Sequence, residues 1–199
     1  MNSEQKAALI IFVKNPKLGK VKTRLAESIG NQEALDVYLQ LLAHTRGITS
    51  HIPVQAHVFY SDYVDEKDIW ENAEYFKHQQ RGANLGDRMQ NAFMKIFDQG
   101  YQKAVIIGSD CFEIEADNIN KAFDLLEGYD AVIGPAMDGG YYLLGMSKLI
   151  PAVFENKKWS TQSVFEDTIR NLQQENMSWQ ELPILRDIDT EKDWDKYKA

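Results

Sequence analysis

Three aspartates stand shortly after apolar segments of the sequence, where their carboxylates could take part in chemistry. Asp110 follows residues 104–107, and Asp187 and Asp189 follow residues 181–185. Short apolar runs bounded by turn residues predict buried strands. Carboxylates gathered at strand ends would repel each other, and a hard divalent cation would relieve that repulsion and bridge to phosphate oxygens. The pattern predicts a Mg²⁺ or Mn²⁺ site, although any single aspartate could also serve a turn or a helix cap.

Residues 14–24 form a basic segment in an otherwise acidic chain. Pro16 and Gly19 predict a loop, and the segment follows a predicted first strand at Ala7–Val13. Backbone amides of a glycine-containing loop and nearby cations suit phosphate oxygens, whereas the alternative is a solvated loop. The segment matches neither the Walker pattern nor G-x-G-x-x-G, so a dinucleotide cofactor lacks support. Its candidate phosphate-binding residues are Lys14, Lys17, Lys20, Lys22 and Arg24.

Two further segments combine glycine with a charged residue. Asp138 precedes Gly139 and Gly140, a pattern that predicts a tight turn and would also let a ligand approach the backbone closely. Asp138 is therefore a candidate catalytic base or acceptor contact. Arg88 lies at the glycine-containing entry to a predicted helix, where it could meet a ligand or simply begin a surface helix.

Other routes to chemistry have less support in the sequence. The four histidines form no short metal-ligand pattern, and the motif G-x-S-x-G is absent. Cys111 is the only cysteine, and we expect a small buried thiol there rather than a nucleophile.

Length, composition and charge restrict the class of protein. The 199 residues predict one domain, and the 44% hydrophobic and 26% charged fractions are ordinary for a globular protein. A formal charge of −8 argues against a general nucleic-acid or anionic-membrane binder, while leaving room for a local basic pocket. No apolar run approaches the roughly 18 residues of a transmembrane helix, and no signal-peptide pattern is present. With a single cysteine, the chain fits a reducing cytoplasm.

The hydrophobic pattern predicts an α/β fold. An apolar run, a helical pattern and a second apolar run between residues 104 and 133 suggest a parallel sheet, whose ligand would lie outside the carboxyl ends of the strands. The predicted strands are Ala7–Val13, 54–60, Tyr75–Gln79, 104–107, 131–133, 141–144 and 181–185. The long predicted helices are 32–49, 85–97, 117–126 and 160–175, with a short helix at 191–197.

Five stretches, in the same order along nearly the whole chain, resemble the bacterial DUF2064 family. They are F-V-K-N-P-K-L-G-K-V-K-T-R-L (12–25), L-G-D-R-M (85–89), I-G-S-D-C (107–111), G-P-A-M-D-G-G-Y-Y-L-L-G (134–145) and D-I-D-T (187–190). The family is described as a GT-A-type glycosyltransferase or nucleotide-diphospho-sugar transferase group. It is more distantly similar to the molybdopterin-cofactor and 2-phospholactate guanylyltransferases.

The resemblance implies a GT-A fold, a three-layer α/β/α sandwich around a mostly parallel mixed sheet. It also implies that Asp110 binds the metal, that Asp187 or Asp189 assists, and that the cations of residues 14–24 surround nucleotide phosphates. Phe112 departs from the family, which usually has proline after the cysteine, and could alter the loop that holds Asp110.

Three functions follow as hypotheses. The first is a metal-dependent transferase with a nucleotide-activated sugar as donor and an unknown acceptor. The second is a nucleotidyltransferase that joins an NTP to a phosphorylated acceptor and releases pyrophosphate, which the dense cations favour. The third is a non-catalytic nucleotide-binding protein, for which Phe112 leaves room. The base, sugar, acceptor and oligomeric state stay open.

Overall fold

Seven strands form a single sheet in the computed structural model, which describes residues 6–198. The strands are β1 (Ala7–Val13), β2 (Gln55–Tyr60), β3 (Tyr75–Gln79), β4 (Lys103–Gly108), β5 (Ala131–Pro135), β6 (Tyr141–Met146) and β7 (Trp179–Glu181). Their order is β3-β2-β1-β4-β6-β5-β7. Within the described residues, β6 alone runs antiparallel to its neighbours. The predicted mixed, mostly parallel sheet is therefore confirmed.

Helices cover both faces of the sheet. They are α1 (Thr23–Ile29), α2 (Asn31–Thr49), α3 (Leu85–Asp98), α4 (Ala116–Leu125), α5 (Val164–Gln174) and α6 (Glu191–Trp194), with a 3₁₀ turn at Pro151–Phe154. Because side chains alternate along a strand, Leu9 and Ile11 of β1 pack with α1, α2 and α4, whereas Ala8 and Ile10 pack with α3 and α5. These two apolar cores confirm the three-layer α/β/α sandwich.

The predicted strand at residues 181–185 is wrong. The strand is Trp179–Glu181, and the chain then leaves regular pairing, with an isolated bridge between Ala136 and Leu185. Pro183 explains the end of the strand because it has no N–H to donate to a neighbour. The backbone still follows β5, since Leu182 N–H donates to Ile133 O at 2.8 Å. The chain therefore continues along the sheet edge toward Asp187.

Two helices also differ from the sequence prediction. The helix predicted from residue 160 begins at Val164, because Ser160 has a φ of +61°, which lies outside the right-handed helical region. The seven-residue helix α1 was not predicted. It begins after Lys22, whose φ of +47° is uncommon for a residue with a side chain.

The described residues contain no helix with the length and apolar composition that crossing a membrane would require.

Candidate functional site

Two distant segments of the chain bring the three aspartates to one place beyond the end of β4. Cys111 and Asp187 form an isolated antiparallel bridge, and Ile188 N–H donates to Asp110 O at 2.9 Å. This backbone pairing sets Asp110 beside the segment that carries Asp187 and Asp189. The convergence expected of strand ends is thus achieved by a loop-to-loop bridge rather than by two adjacent strands.

Lys22 is the cation that stands between these carboxylates. Its Nζ lies 2.7 Å from Asp110 Oδ1 and 3.6 Å from Asp189 Oδ1, and its side chain is 4% exposed. Arg24 adds a second contact, with Nη1 3.3 Å from Asp189 Oδ2. A buried ammonium is costly unless it is paired, so Lys22 depends on these aspartates for its position.

The protonation states of the aspartates differ because their surroundings differ. Burial works to raise the pKa of Asp110, but attraction and hydrogen bonding by Lys22, aided by Lys14, outweigh it and leave that pKa below its usual value. Burial, followed by repulsion from Asp110, raises the pKa of Asp187 to about 7. Asp138 and Asp189 add to the rise, which Lys22 opposes. Lys22 therefore favours the ionised form of Asp110, whereas burial and the neighbouring carboxylates favour the protonated form of Asp187.

The donor chemistry of the cluster fits a hard divalent cation. Carboxylate oxygens are the side-chain ligands that Mg²⁺ and Mn²⁺ prefer, and the Lys22 ammonium already stands in for a cation between Asp110 and Asp189. Across residues 6–198, however, no three His, Cys, Asp or Glu side chains are grouped so that they could hold a metal ion by themselves. Mg²⁺ is commonly held by one or two carboxylates with substrate phosphates completing its shell, and these residues match that arrangement.

The other cations of the basic segment point in several directions. Lys17 Nζ lies 3.0 Å from Asp62 Oδ2 and 4.9 Å from the centre of the Tyr63 ring, so it is directed away from Asp110. Lys20 is exposed in the turn, where its N–H donates to Lys17 O at 3.0 Å. Lys14 is exposed and close enough to lower the pKa of Asp110.

Tyr38 of α2 holds the basic segment and the end of β4 in position through hydrogen bonds, a role that the sequence did not reveal. Its hydroxyl accepts from Lys14 N–H at 2.8 Å, donates to Lys14 O at 3.0 Å and lies 3.2 Å from Ser109 Oγ. The side chain is 1% exposed, and burial together with Asp110 raises its pKa. Tyr38 thereby joins the end of β1 to the end of β4. The sequence does contain a signal for this role. A tyrosine on the apolar face of a predicted helix indicates a buried hydroxyl, and a buried hydroxyl needs a hydrogen-bond partner.

Replacing Tyr38 with phenylalanine is expected to destabilise the fold by about 1–3 kcal/mol, because the backbone N–H and C=O of Lys14 lose their partner. The loosened loop should also bind nucleotide more weakly. Chemical denaturation and nucleotide titration would measure the two effects. Tyr129→Phe is the matched control, because the hydrogen-bonded tyrosine hydroxyls within residues 6–198 do not include that of Tyr129, which is also less buried than Tyr38. Equal stability of the two variants would contradict this role.

The predicted turn at Asp138 is present and packs tightly. Asp138 Oδ1 accepts from Gly140 N–H at 2.9 Å, and the carbonyl of Gly139 accepts from Phe165 N–H at 2.9 Å. Gly139 has a φ of +88°, and a Cβ atom there would collide with the backbone of Gln162. The turn and the approach of residue 162 thus account for Gly139 within the fold. Asp138 faces the aspartate cluster closely enough to raise the pKa of Asp187.

Gly139→Ala is expected to lower the free energy of unfolding by more than about 1–2 kcal/mol, since it combines a disfavoured φ with a backbone collision. Gly128→Ala is the matched control, because no atom lies within 4 Å of a Cβ added there. Thermal and urea unfolding of both variants measure the difference. A Gly139→Ala variant as stable as Gly128→Ala would contradict the packing role.

Arg88 lies apart from the aspartate cluster. Its Nε donates to Gly82 O at 3.4 Å, and its side chain lines a cavity between β3 and α3. Its charge helps to lower the pKa of Asp62, although the hydrogen bond from Lys17 to that carboxylate has the larger effect. The sequence had predicted that Arg88 could meet a ligand at a helix entry or simply begin a surface helix, and the structure places it in the first turn of α3, away from the aspartate cluster.

Cys111 and Phe112 pack into the fold directly after Asp110. Cys111 is buried, its Sγ donates to Arg186 O at 3.4 Å, and burial, with repulsion from Asp187, raises its pKa to about 12. The expectation of a buried thiol is confirmed. The Phe112 ring stacks on His44 at 4.7 Å and meets Tyr197 edge-on at 5.1 Å. Phenylalanine at this position therefore anchors the loop, and the contacts of Asp110 remain in place.

Comparisons with known proteins agree with the sequence resemblance. Residues 45–161 match the model of a family described as "Uncharacterized protein conserved in bacteria (DUF2064)". No curated protein matches the sequence. A crystal structure from Desulfovibrio desulfuricans G20, provisionally named a nucleotide-diphospho-sugar transferase, is 34% identical, with a TM-score of 0.85 over 92% of this chain and 82% of that one.

Two more distant structures share the fold. The inositol-1-phosphate CTP transferase from T. maritima is 12% identical, with a TM-score of 0.60 over 95% of this chain and 91% of that one. A manganese complex of Rv0371C from Mycobacterium tuberculosis H37Rv is 10% identical, with a TM-score of 0.59 over 96% and 97% of the two chains.

Proposed function

The chain belongs to the DUF2064 family, and from that premise we propose that it is a metal-dependent transferase with a nucleotide-activated sugar as donor. The observation that carries the proposal is the buried Lys22 ammonium, paired with Asp110 and Asp189 at the end of a cationic loop. The 34% identical relative named a nucleotide-diphospho-sugar transferase supports the choice of donor.

In this proposal the basic segment binds the diphosphate of the donor. Lys22 and Arg24 already lie at the aspartate cluster, and the exposed Lys14 and Lys20 can reach a ligand from solvent. Charge-assisted hydrogen bonds from these groups would hold the phosphate oxygens. They would also stabilise the negative charge that develops on the diphosphate when its bond to the sugar breaks and the sugar passes to the acceptor. Mg²⁺ or Mn²⁺, held by Asp110 with Asp187 or Asp189, would supply further charge neutralisation at the diphosphate.

Asp138 is the proposed group on the acceptor side. Its Oδ1 is fixed by the N–H of Gly140, which leaves Oδ2 free of that bond. A carboxylate held in this way can accept the proton of an attacking hydroxyl, provided that the acceptor comes within hydrogen-bond reach. Gly139 and Gly140 would then border the acceptor through their backbone.

Nucleotidyl transfer is the second candidate, and the density of cations in residues 14–24 favours it. A triphosphate carries more charge than a diphosphate sugar, and a fold relative at 12% identity is named a CTP transferase. In this reaction a phosphate oxygen of the acceptor attacks the α-phosphorus of an NTP. The bond from that phosphorus to the bridging oxygen breaks, and pyrophosphate leaves.

Thermal shifts with NDP-sugars and NTPs, each with and without Mg²⁺ or Mn²⁺, test the proposal. A ligand at a hundredfold excess over its dissociation constant adds about 2.7 kcal/mol, which raises Tm by roughly 5–10 °C in a chain of this size. A metal-dependent shift confined to NDP-sugars supports glycosyl transfer. One confined to NTPs, with pyrophosphate release, supports nucleotidyl transfer instead. Binding without turnover by any acceptor supports the non-catalytic alternative, and no shift at all overturns the proposal.

A further inference from the structure

The cavity that Arg88 lines is at the outer edge of the sheet, between β3 and α3. Its volume is about 670 Å³. Its walls are Phe59, Val64, Lys77, His78, Gln79, Arg81, Arg88, Asn91, Ala92, Met94 and Lys95. None of these residues is acidic, which is unusual for a concave surface in a chain whose formal charge is −8. A cavity with several cations and no carboxylate has a positive potential.

Three of its cations form no close ion pair in the described part of the chain, although the charge of Arg88 also acts on Asp62 from a longer distance. Lys77 is neutralised, since its Nζ lies 2.9 Å from Asp68 Oδ1. Within residues 6–198, by contrast, no carboxylate oxygen lies within 4.0 Å of the charged nitrogens of Arg81, Arg88 or Lys95. Three like charges around one concave surface repel each other, and an anionic ligand is the simplest means to offset that repulsion.

The cavity also has an apolar side. Phe59 is 3% exposed and its ring lies 4.7 Å from that of His78, and the exposed Met94 stands on the facing helix. Cations around an apolar wall match a molecule with an anionic group and a hydrophobic body. We propose that this cavity is a second binding site, which takes a phosphorylated organic molecule with its phosphate on Arg81, Arg88 and Lys95.

This site is separate from the aspartate cluster. The residues that line the cavity do not include Lys22, Arg24 or the aspartates that these two contact. β3 lies three strand positions from β4, which corresponds to about 14 Å across a sheet. The proposal therefore holds whether or not the transferase function does.

His78, which lines the cavity, and its partner His57 give a direct readout of binding. His78 Nε2 lies 3.0 Å from His57 Nδ1, and His57 Nε2 lies 3.2 Å from the Tyr101 hydroxyl. Burial, followed by the charge of Lys95, holds the pKa of His78 at about 4. An anion bound next to Lys95 would offset that charge, so the His78 resonances and their titration should move.

The experiment is a titration of the full chain with phenyl phosphate and with inorganic phosphate, followed through the imidazole NMR signals. Only four histidines contribute, and His78→Asn assigns the relevant one. Lys95→Gln and Arg81→Gln each remove one exposed charge from the cavity. Lys121→Gln removes an exposed charge from α4 as the matched control, and Arg24→Gln weakens the aspartate site instead.

We expect phenyl phosphate to shift the His78 resonances and to bind more tightly than inorganic phosphate. Its affinity should fall at least about tenfold in Lys95→Gln and in Arg81→Gln, since each loses a charge-assisted hydrogen bond. Lys121→Gln and Arg24→Gln should retain the wild-type affinity. Unmoved His78 resonances would overturn the proposal. So would an affinity lost in Arg24→Gln but kept in Lys95→Gln, because binding would then belong to the aspartate site.

Discussion

Asp110→Asn is expected to reduce metal-dependent turnover by at least about a hundredfold, the loss typical when a group that stabilises transition-state charge is removed. The amide keeps the shape of the side chain but removes the charge that Lys22 contacts at 2.7 Å. It also removes the proposed principal ligand of Mg²⁺ or Mn²⁺. Initial rates, with the donor identified by thermal shift, measure the effect. Unchanged turnover would contradict the placing of the metal site at Asp110.

Loss of activity in this variant must be separated from loss of folding. Lys22 is 4% exposed, and without Asp110 its remaining partner is Asp189 at 3.6 Å, so stability should fall as well. Removing one partner of a buried pair costs up to about 3–5 kcal/mol. Rates are therefore to be measured at a temperature at which the variant is folded by circular dichroism. The control is Asp117→Asn on α4, which removes one negative charge from an exposed position. It should keep wild-type turnover and lose at most about 1 kcal/mol of stability, because Asp117 lies in the first turn of the helix.

Much of the fold could be predicted because buried strands carry a strong local signal. The runs in β1, β4, β5 and β6 are apolar, and glycine, proline or aspartate follows most of them. The strand predicted at residues 181–185 was wrong because its hydrophobicity resembled a strand, whereas Pro183 interrupts the hydrogen bonding. A local pattern cannot show that β7 pairs with β5, since this contact joins residues almost fifty positions apart.

The site was predictable in its residue types but not in its contacts. Residues 14–24 contain five cations of similar sequence context. Lys22 is nevertheless buried and paired with Asp110, whereas Lys17 is paired with Asp62. The difference arises from backbone geometry, because the left-handed φ of Lys22 and the start of α1 direct that side chain inward. Tyr38 is a similar case. The helical pattern predicted that this side chain is buried, but it could not identify the hydrogen-bond partners of the hydroxyl.

The electrostatics of the cluster imply a conflict between stability and function. Asp110 and Asp189 share Lys22, while Asp187 is held near three other carboxylates, and these raise its pKa after burial. An arrangement that suits a cation and phosphates is thus under repulsion when neither is bound. Sites of this kind commonly gain stability when a charged group is removed and lose activity in the same step.

Asp187→Asn is accordingly expected to stabilise the metal-free protein at neutral pH. The pKa of Asp187 in the folded state, about 7, lies above the ordinary value of 3.8, so the folded state binds the proton more tightly. Stability of the wild type therefore falls as pH rises from about 4 to about 7, and the full penalty remains above that range. Asparagine does not titrate, so the advantage of the variant should be absent near pH 4 and greatest above pH 7.

Thermal unfolding in EDTA across this pH range measures the effect, and we expect Tm of Asp187→Asn to exceed that of wild type by at least about 4 °C at pH 8. Mg²⁺ should narrow the difference, because a bound cation offsets the repulsion in the wild type alone. Asp124→Asn, which removes an exposed carboxylate from α4, should show no pH-dependent gain. A gain independent of pH, or a lower Tm in Asp187→Asn, would contradict the raised pKa and the repulsion that causes it.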